Sequence, residues 1–304
     1  MTDRSSTAGA AEEPPHRSAA LFNVIPPQGL VLVAIFAIQL GAAISIHLFP
    51  VLGAEGTVAI RIILSALVLA LVARARVRVF RQIIRSHLRL LLFFGCCIAA
   101  MNLFFYQAID RIPLGAAVAL EFAGPLGVAA FNSRRLIQFL WVALAALGIL
   151  LLSPLAGADL DPTGILFALA AGMCWACFIV LAQRVGDSIA GNDGLTIGMI
   201  IAAFIMIPLA APVIPELIAS PVLILAGFAV AMLSTAIPFT FEFEALKRLP
   251  ARSYGVLISM EPAAATLIGI LLLGENIGLQ GMVAVACVVV AAIGVTISEG
   301  RNAS

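Results

Sequence analysis

Apolar runs of about twenty residues recur along most of this chain, and that is the length an α-helix needs to cross a hydrocarbon core about 30 Å thick. They fall at 28 to 49, 54 to 73, 88 to 108, 114 to 131, 136 to 153, 163 to 183, 194 to 212, 222 to 246, 251 to 273 and 278 to 297. Backbone groups in lipid must find their partners within the protein, and runs this long do so as helices. The expected fold is therefore an all-α integral membrane protein with ten transmembrane helices, multi-pass in the cell (inner) membrane. Only 11% of the 304 residues are charged, 62% are apolar and the mean hydropathy is +1.14, whereas a soluble domain is about 25% charged. That balance excludes a soluble enzyme and a disordered scaffold, and a formal charge of +1 excludes a basic nucleic-acid-binding domain.

Charge placement tests the parse independently, because cytoplasmic loops collect Lys and Arg. With both termini cytoplasmic, the inner set comprises Arg4 and Arg17, the cluster from Arg74 to Arg89, Arg134 and Arg135, Arg184, Lys247, Arg248, Arg252 and Arg301, which is 15 of 17 basic residues. Arg111 alone falls outside and Arg61 alone falls deep within a span, Arg89 and Arg252 standing at the cytoplasmic ends of theirs. The six arginines between 74 and 89 are read as a topology determinant in a loop. An amphipathic helix on anionic lipid is the alternative.

Residues 1–27, with Glu12, Glu13, Pro14 and Pro15 and no continuous apolar core, read as a disordered cytoplasmic tail rather than a signal peptide. The five cysteines lie in apolar runs and do not make a disulfide framework. The Cys174-Trp-Ala-Cys177 spacing reads as small-residue helix packing.

At an offset of 137 residues the two halves align. Arg111-Ile-Pro113 falls on Arg248-Leu-Pro250, and Gly124-Pro125 on Glu261-Pro262. The expected domains are a first repeat at 28–154, a periplasmic linker at 155–162, a second repeat at 163–298 and a short cytoplasmic tail at 299–304. Five helices per repeat place the second copy upside down, so Arg111 is expected outside and Arg248 inside. Inverted repeats build a midplane site that opens to either side in turn, which favours a transporter.

Specific motifs sharpen this. Asn102-Leu-Phe-Phe-Tyr106-Gln-Ala-Ile, Pro113-Leu-Gly-Ala-Ala-Val-Ala-Leu-Glu121-Phe-Ala-Gly-Pro125 and Ser133-Arg-Arg135 stand in the first half. Ala170-Ala-Gly-Met-Cys-Trp175-Ala, Leu233-Ser-Thr-Ala-Ile-Pro238, Ser259-Met-Glu261-Pro262 and Leu273-Gly-Glu275 stand in the second. Over roughly residues 30 to 297 the chain resembles the EamA-type transporters of the drug/metabolite transporter superfamily, and within them the threonine/homoserine exporter branch. The resemblance implies two five-helix repeats and export of a small metabolite such as an amino acid.

Charges inside membrane helices are unfavourable by about 2.5–3.5 kcal/mol on insertion scales, so each is a candidate functional residue. Arg61 and Glu121 both lie seven residues into helices entering from outside, about 10 Å deep at 1.5 Å per residue. Either they form a buried ion pair, or Arg61 meets a substrate carboxylate while a carboxylate meets its ammonium. Glu261, about 15 Å from the inner boundary, is a candidate for proton or ammonium handling. The competing role is satisfying backbone groups disturbed by Pro262. Asn102 and Tyr106, one turn apart, are expected to line the substrate path, with Trp175, Gln39 and His47 as weaker candidates. Glu244 reads as a partner of Arg248, and Glu242 ranks below Glu261. Pro125, Pro238 and Pro262 each leave the carbonyl four residues back without its donor and are expected kink points.

No H-E-x-x-H, G-x-S-x-G, P-loop or G-x-G-x-x-G motif is present, and the chain has three His, so an enzyme, a metal site and a cofactor are not expected. The reading is a secondary exporter acting on a small polar metabolite, with protons as possible co-substrate and oligomeric state open. The alternatives are export of other metabolites or cationic drugs, and a non-transporting membrane subunit.

Overall fold

The computed structural model describes residues 25–73, 77–131, 136–151, 160–189, 193–238, 241, 245 and 257–300. Arg74, Arg76, Ser133 to Arg135, Glu242, Glu244, the Lys247 to Arg252 stretch and both tails lie outside these residues. The described elements are helical: α1 (Pro27–Val72), α2 (Val77–Ile109), α3 (Leu114–Glu121), α4 (Ala123–Phe131), α5 (Leu136–Leu151), α6 (Pro162–Ser188), α7 (Asp193–Ala210), α8 (Ile214–Ala219), α9 (Pro221–Ala231), a π turn (Met232–Ala236), α10 (Glu261–Leu273) and α11 (Gly278–Gly300).

Four stretches among the described residues are long and apolar enough to cross a membrane alone. The exterior is apolar as well, with Leu279, Val222 and Met173 each more than 70% exposed. A surface this oily belongs in lipid rather than water. The chain is an all-helical membrane protein.

α1 is two helices run together. Gly53 has φ 66° and ψ 164°, a conformation open to glycine because it has no Cβ. Ser65 Oγ donates to the Ala231 carbonyl, while a Cβ on Gly41 would stand 2.1 Å from Ser234 Oγ. Gly41 and Ser65 would be about 36 Å apart on one straight helix, so contact of both with residues 231–234 means that the chain doubles back at Gly53.

The basic stretch is helical where described, rather than a loop. Arg78, Arg81, Arg85 and Arg89 are exposed and Phe80 is buried, with a break at His87 (φ −128°, ψ 27°) before the apolar part of α2 begins. Apolar residues at 80, 83 and 84 alternate with the arginines at helical spacing, and burying them against the bundle fixes the turn.

Three interruptions lie beside prolines. α3 ends at Glu121 and α4 resumes at Ala123 ahead of Pro125. The π turn precedes Pro238, and α10 begins at Glu261 after a turn at Ser259 and Met260. In each case a ring without an N–H withholds a donor from the preceding turn. Neighbours approach closely at these breaks: a Cβ on Gly124 would lie 1.9 Å from the Gly172 carbonyl oxygen, and one on Gly172 would lie 2.5 Å from that of Glu121.

Candidate functional site

The breaks converge on a cavity of about 360 Å³, within the range of small-molecule sites, about 300–1,000 Å³. Arg61, Asn102, Glu121, Trp175 and Glu261 all line it, although they come from five different helical stretches. Their separation along the chain means that only the tertiary fold brings them together.

Arg61 is 8% exposed. Its guanidinium donates to Asn102 Oδ1, and Asn102 in turn donates to the Ile98 carbonyl at 2.7 Å. The Arg61 Cζ stands 5.0 Å from the centre of the Tyr106 ring, a cation–π arrangement. One face of the guanidinium is thus held by an aromatic and one edge by an amide, while Nε, though buried, meets no acceptor among the described residues. Arg61 and Glu121 line the same cavity without closing to an ion pair, so the depth match read from the sequence brings opposite charges to one space but not into contact.

Tyr106 differs from the expectation. It is 1% exposed and absent from the cavity wall, packed behind Arg61. Its hydroxyl lies 2.8 Å from Ser45 Oγ. Ser45 directs its single proton to the Gly41 carbonyl at 2.7 Å, which leaves Tyr106 as the donor. Helical spacing put Asn102 and Tyr106 on one face correctly, but that face meets the cavity at 102 and α1 at 106. Tyr106 therefore lies against Arg61 rather than on the cavity wall.

Trp175 meets Phe122, the residue between α3 and α4, edge to face with ring centres 5.3 Å apart, which seats the indole at the break beside Glu121. Glu261 is 7% exposed at the first position of α10. His47 is exposed and stands apart from the site. Cys97 Sγ donates to the Cys174 carbonyl at 3.0 Å, and the described cysteines are unpaired, as helix packing requires.

Sequence reasoning missed Ser234 and Thr235, which also line the cavity. The signal was present in Pro238: without its N–H the ladder slips to five-residue spacing, with Ile237 N–H donating to the Met232 carbonyl, and π turns of this kind often mark functional sites.

One end of the bundle carries a polar belt. Gln107 Nε2 donates to Glu55 Oε1 at 3.0 Å, and Arg111 donates to the Gln107 carbonyl and Oε1 at 2.7 and 2.6 Å. Arg111 also lies over the Phe167 ring and 3.6 Å from Asp110. Glu275 accepts the Leu114 N–H, and a Cβ on Gly115 would come within 2.7 Å of Thr266 Cα. From Arg61 the cavity wall runs away from this belt to Ile179, in the second half of α6, and Leu195, near the start of α7.

Buried charged side chains around a small-molecule cavity, inside a bundle whose outer surface is apolar, are the arrangement of a membrane transport protein. Residues 162–297 match the EamA-like transporter family. The chain is 43% identical over 280 residues to the threonine/homoserine exporter RhtA of Escherichia coli (strain K12), covering 91% of this chain and 93% of that one. It is 42% identical over 278 residues to the protein of the same name in Salmonella typhimurium (strain SL1344), covering 90% and 92%. The chain belongs to the EamA-like transporter family and groups with the exporters named for threonine and homoserine. A crystal structure of a protein with 18% sequence identity shares the fold, with a TM-score of 0.59 over 95% of this chain and 100% of that one.

Proposed function

We propose that this protein exports amino acids of the threonine and homoserine type, as a secondary transporter of the bacterial inner membrane working by alternating access. Ten spans form two inverted repeats, 28–154 and 163–298, with both termini in the cytoplasm. The family match over 162–297 and the distribution of basic residues support that arrangement.

The carrying observation is the separation of charge in the cavity. Arg61 has a partly unsatisfied guanidinium and Glu121 faces the same space without pairing to it. A zwitterion completes this arrangement: its carboxylate meets Arg61 through charge-assisted hydrogen bonds and its ammonium meets a carboxylate, Glu121 or Glu261. Asn102 and Tyr106 orient the guanidinium, and Trp175 and Phe178 supply an apolar wall. If the basic loops are cytoplasmic, the belt around Glu55, Gln107 and Arg111 is periplasmic, and this conformer is closed outside with its cavity reaching toward the cytoplasm. Substrate enters from that side, and opening of the belt releases it.

The test is counterflow of labelled threonine and homoserine in proteoliposomes, with and without a pH gradient, for wild type and Arg61→Gln. Saturable flux that Arg61→Gln abolishes supports the reading. Flux of organic cations that survives Arg61→Gln, with none for amino acids, replaces it with a cation exporter. A pH gradient that accelerates counterflow identifies protons as the coupled ion.

A further inference from the structure

Assigning the substrate's two charges leaves two neutral polar atoms in the cavity wall. Gln39, 2% exposed, presents an Oε1 with no hydrogen-bond donor among the described residues. Ser234 Oγ, on the π turn, is likewise buried without a partner among the described residues. Both residues line the cavity. Ser234 itself packs on α1 at Gly41, two positions along from Gln39. A Cβ there would stand 2.1 Å from Ser234 Oγ and 3.1 Å from its backbone nitrogen, so only glycine lets the helix and the π turn come this close.

Buried polar atoms in native proteins normally have partners, and exceptions call for an explanation. An amide oxygen needs a donor and a serine hydroxyl takes either role. A ligand hydroxyl can donate to Gln39 Oε1 or accept from Ser234 Oγ. A methyl group in its place satisfies neither. A carboxylate offers Gln39 no proton, and the ammonium has carboxylates available elsewhere in the same cavity.

We infer that Gln39 and Ser234 form a side-chain subsite that selects amino acids bearing a side-chain hydroxyl over their aliphatic counterparts. This rests on the amino-acid exporter reading and adds the residues that set its specificity. Sites built to hydrogen-bond a substrate hydroxyl discriminate strongly against the analogue lacking it. For two neutral hydrogen bonds the preference is about tenfold to a hundredfold.

Full-length protein in proteoliposomes loaded with labelled threonine is challenged with unlabelled threonine or valine, which replaces the hydroxyl by a methyl. Wild type is expected to prefer threonine by about tenfold or more. Ser234→Ala and Gln39→Leu are each expected to bring the ratio to roughly threefold or less through loss on the threonine arm. The inference is overturned if wild type does not discriminate, if the variants keep the wild-type ratio, or if both substrates fall in proportion. Wild type that carries neither substrate overturns the exporter reading itself. Should Gln39→Leu fail to fold by size exclusion, Ser234→Ala, which removes one oxygen, decides alone.

Discussion

Both carboxylate oxygens of Glu275 accept the backbone N–H of Leu114, at 2.8 and 3.0 Å, across 161 residues of chain. Leu114 opens α3, where backbone donors have no intrahelical acceptor, and Pro113 before it carries no capping side chain. An acidic side chain from the far half of the molecule supplies the cap and ties the start of α3 to the turn after α10.

Replacing Glu275 with Ala is expected to remove about 1 kcal/mol from the closed conformer, the usual net worth of a partly exposed hydrogen bond. It should raise labelling of a cysteine introduced at Phe49 on the closed end. Burial pushes the Glu275 carboxyl above its ordinary value, and the Leu114 N–H partly offsets this by favouring the charged form. The folded protein therefore binds this proton more tightly than the unfolded chain, and its contribution to stability is full below the ordinary carboxylate value and lost as pH rises through the raised one. Glu275→Gln, which does not titrate, should flatten that part of the stability profile in detergent melts; an unchanged profile would contradict the assignment.

Gly124→Ala should destabilise by about 2 kcal/mol or more, because its Cβ has backbone rather than a flexible side chain in its way. Gly127→Ala, with nothing within 4 Å of the new Cβ, is the matched control and should stay within about 0.5 kcal/mol. Melting temperatures of the two variants in one detergent make the comparison.

Tyr106→Phe keeps the ring beneath Arg61 and loses the hydrogen bond to Ser45. The expected loss is about 1 kcal/mol of stability with modest change in transport. Tyr106→Ala also removes the cation–π support and should lower flux about as far as Arg61→Lys, roughly tenfold or more. Equal effects of the Phe and Ala variants would show that the hydroxyl, not the ring, positions Arg61.

Cysteines placed one at a time in the tails at Ser6 and Ser304 are expected to react with an impermeant maleimide only after the cells are opened. One at Asp161, at the start of α6, should react in intact cells whose outer membrane is permeabilised. Labelling of the two tails from opposite sides would rule out the inverted-repeat topology.

Hydropathy and the placement of Arg and Lys were enough to read a helical membrane protein, because lipid imposes a length and the inner face imposes a charge bias on every segment independently. The same logic singled out Arg61, Glu121 and Glu261, since a charge in an apolar run stands out without reference to its neighbours. It could not say that Arg61 stops short of Glu121, that Tyr106 turns behind the guanidinium, or that Gln39 and Ser234 share a wall. Those depend on where Gly53 reverses the chain, how the ladder slips before Pro238, and how closely Gly41 and Gly172 admit their neighbours. Composition determines what each segment must avoid; contact between segments is decided only when whole helices are packed together.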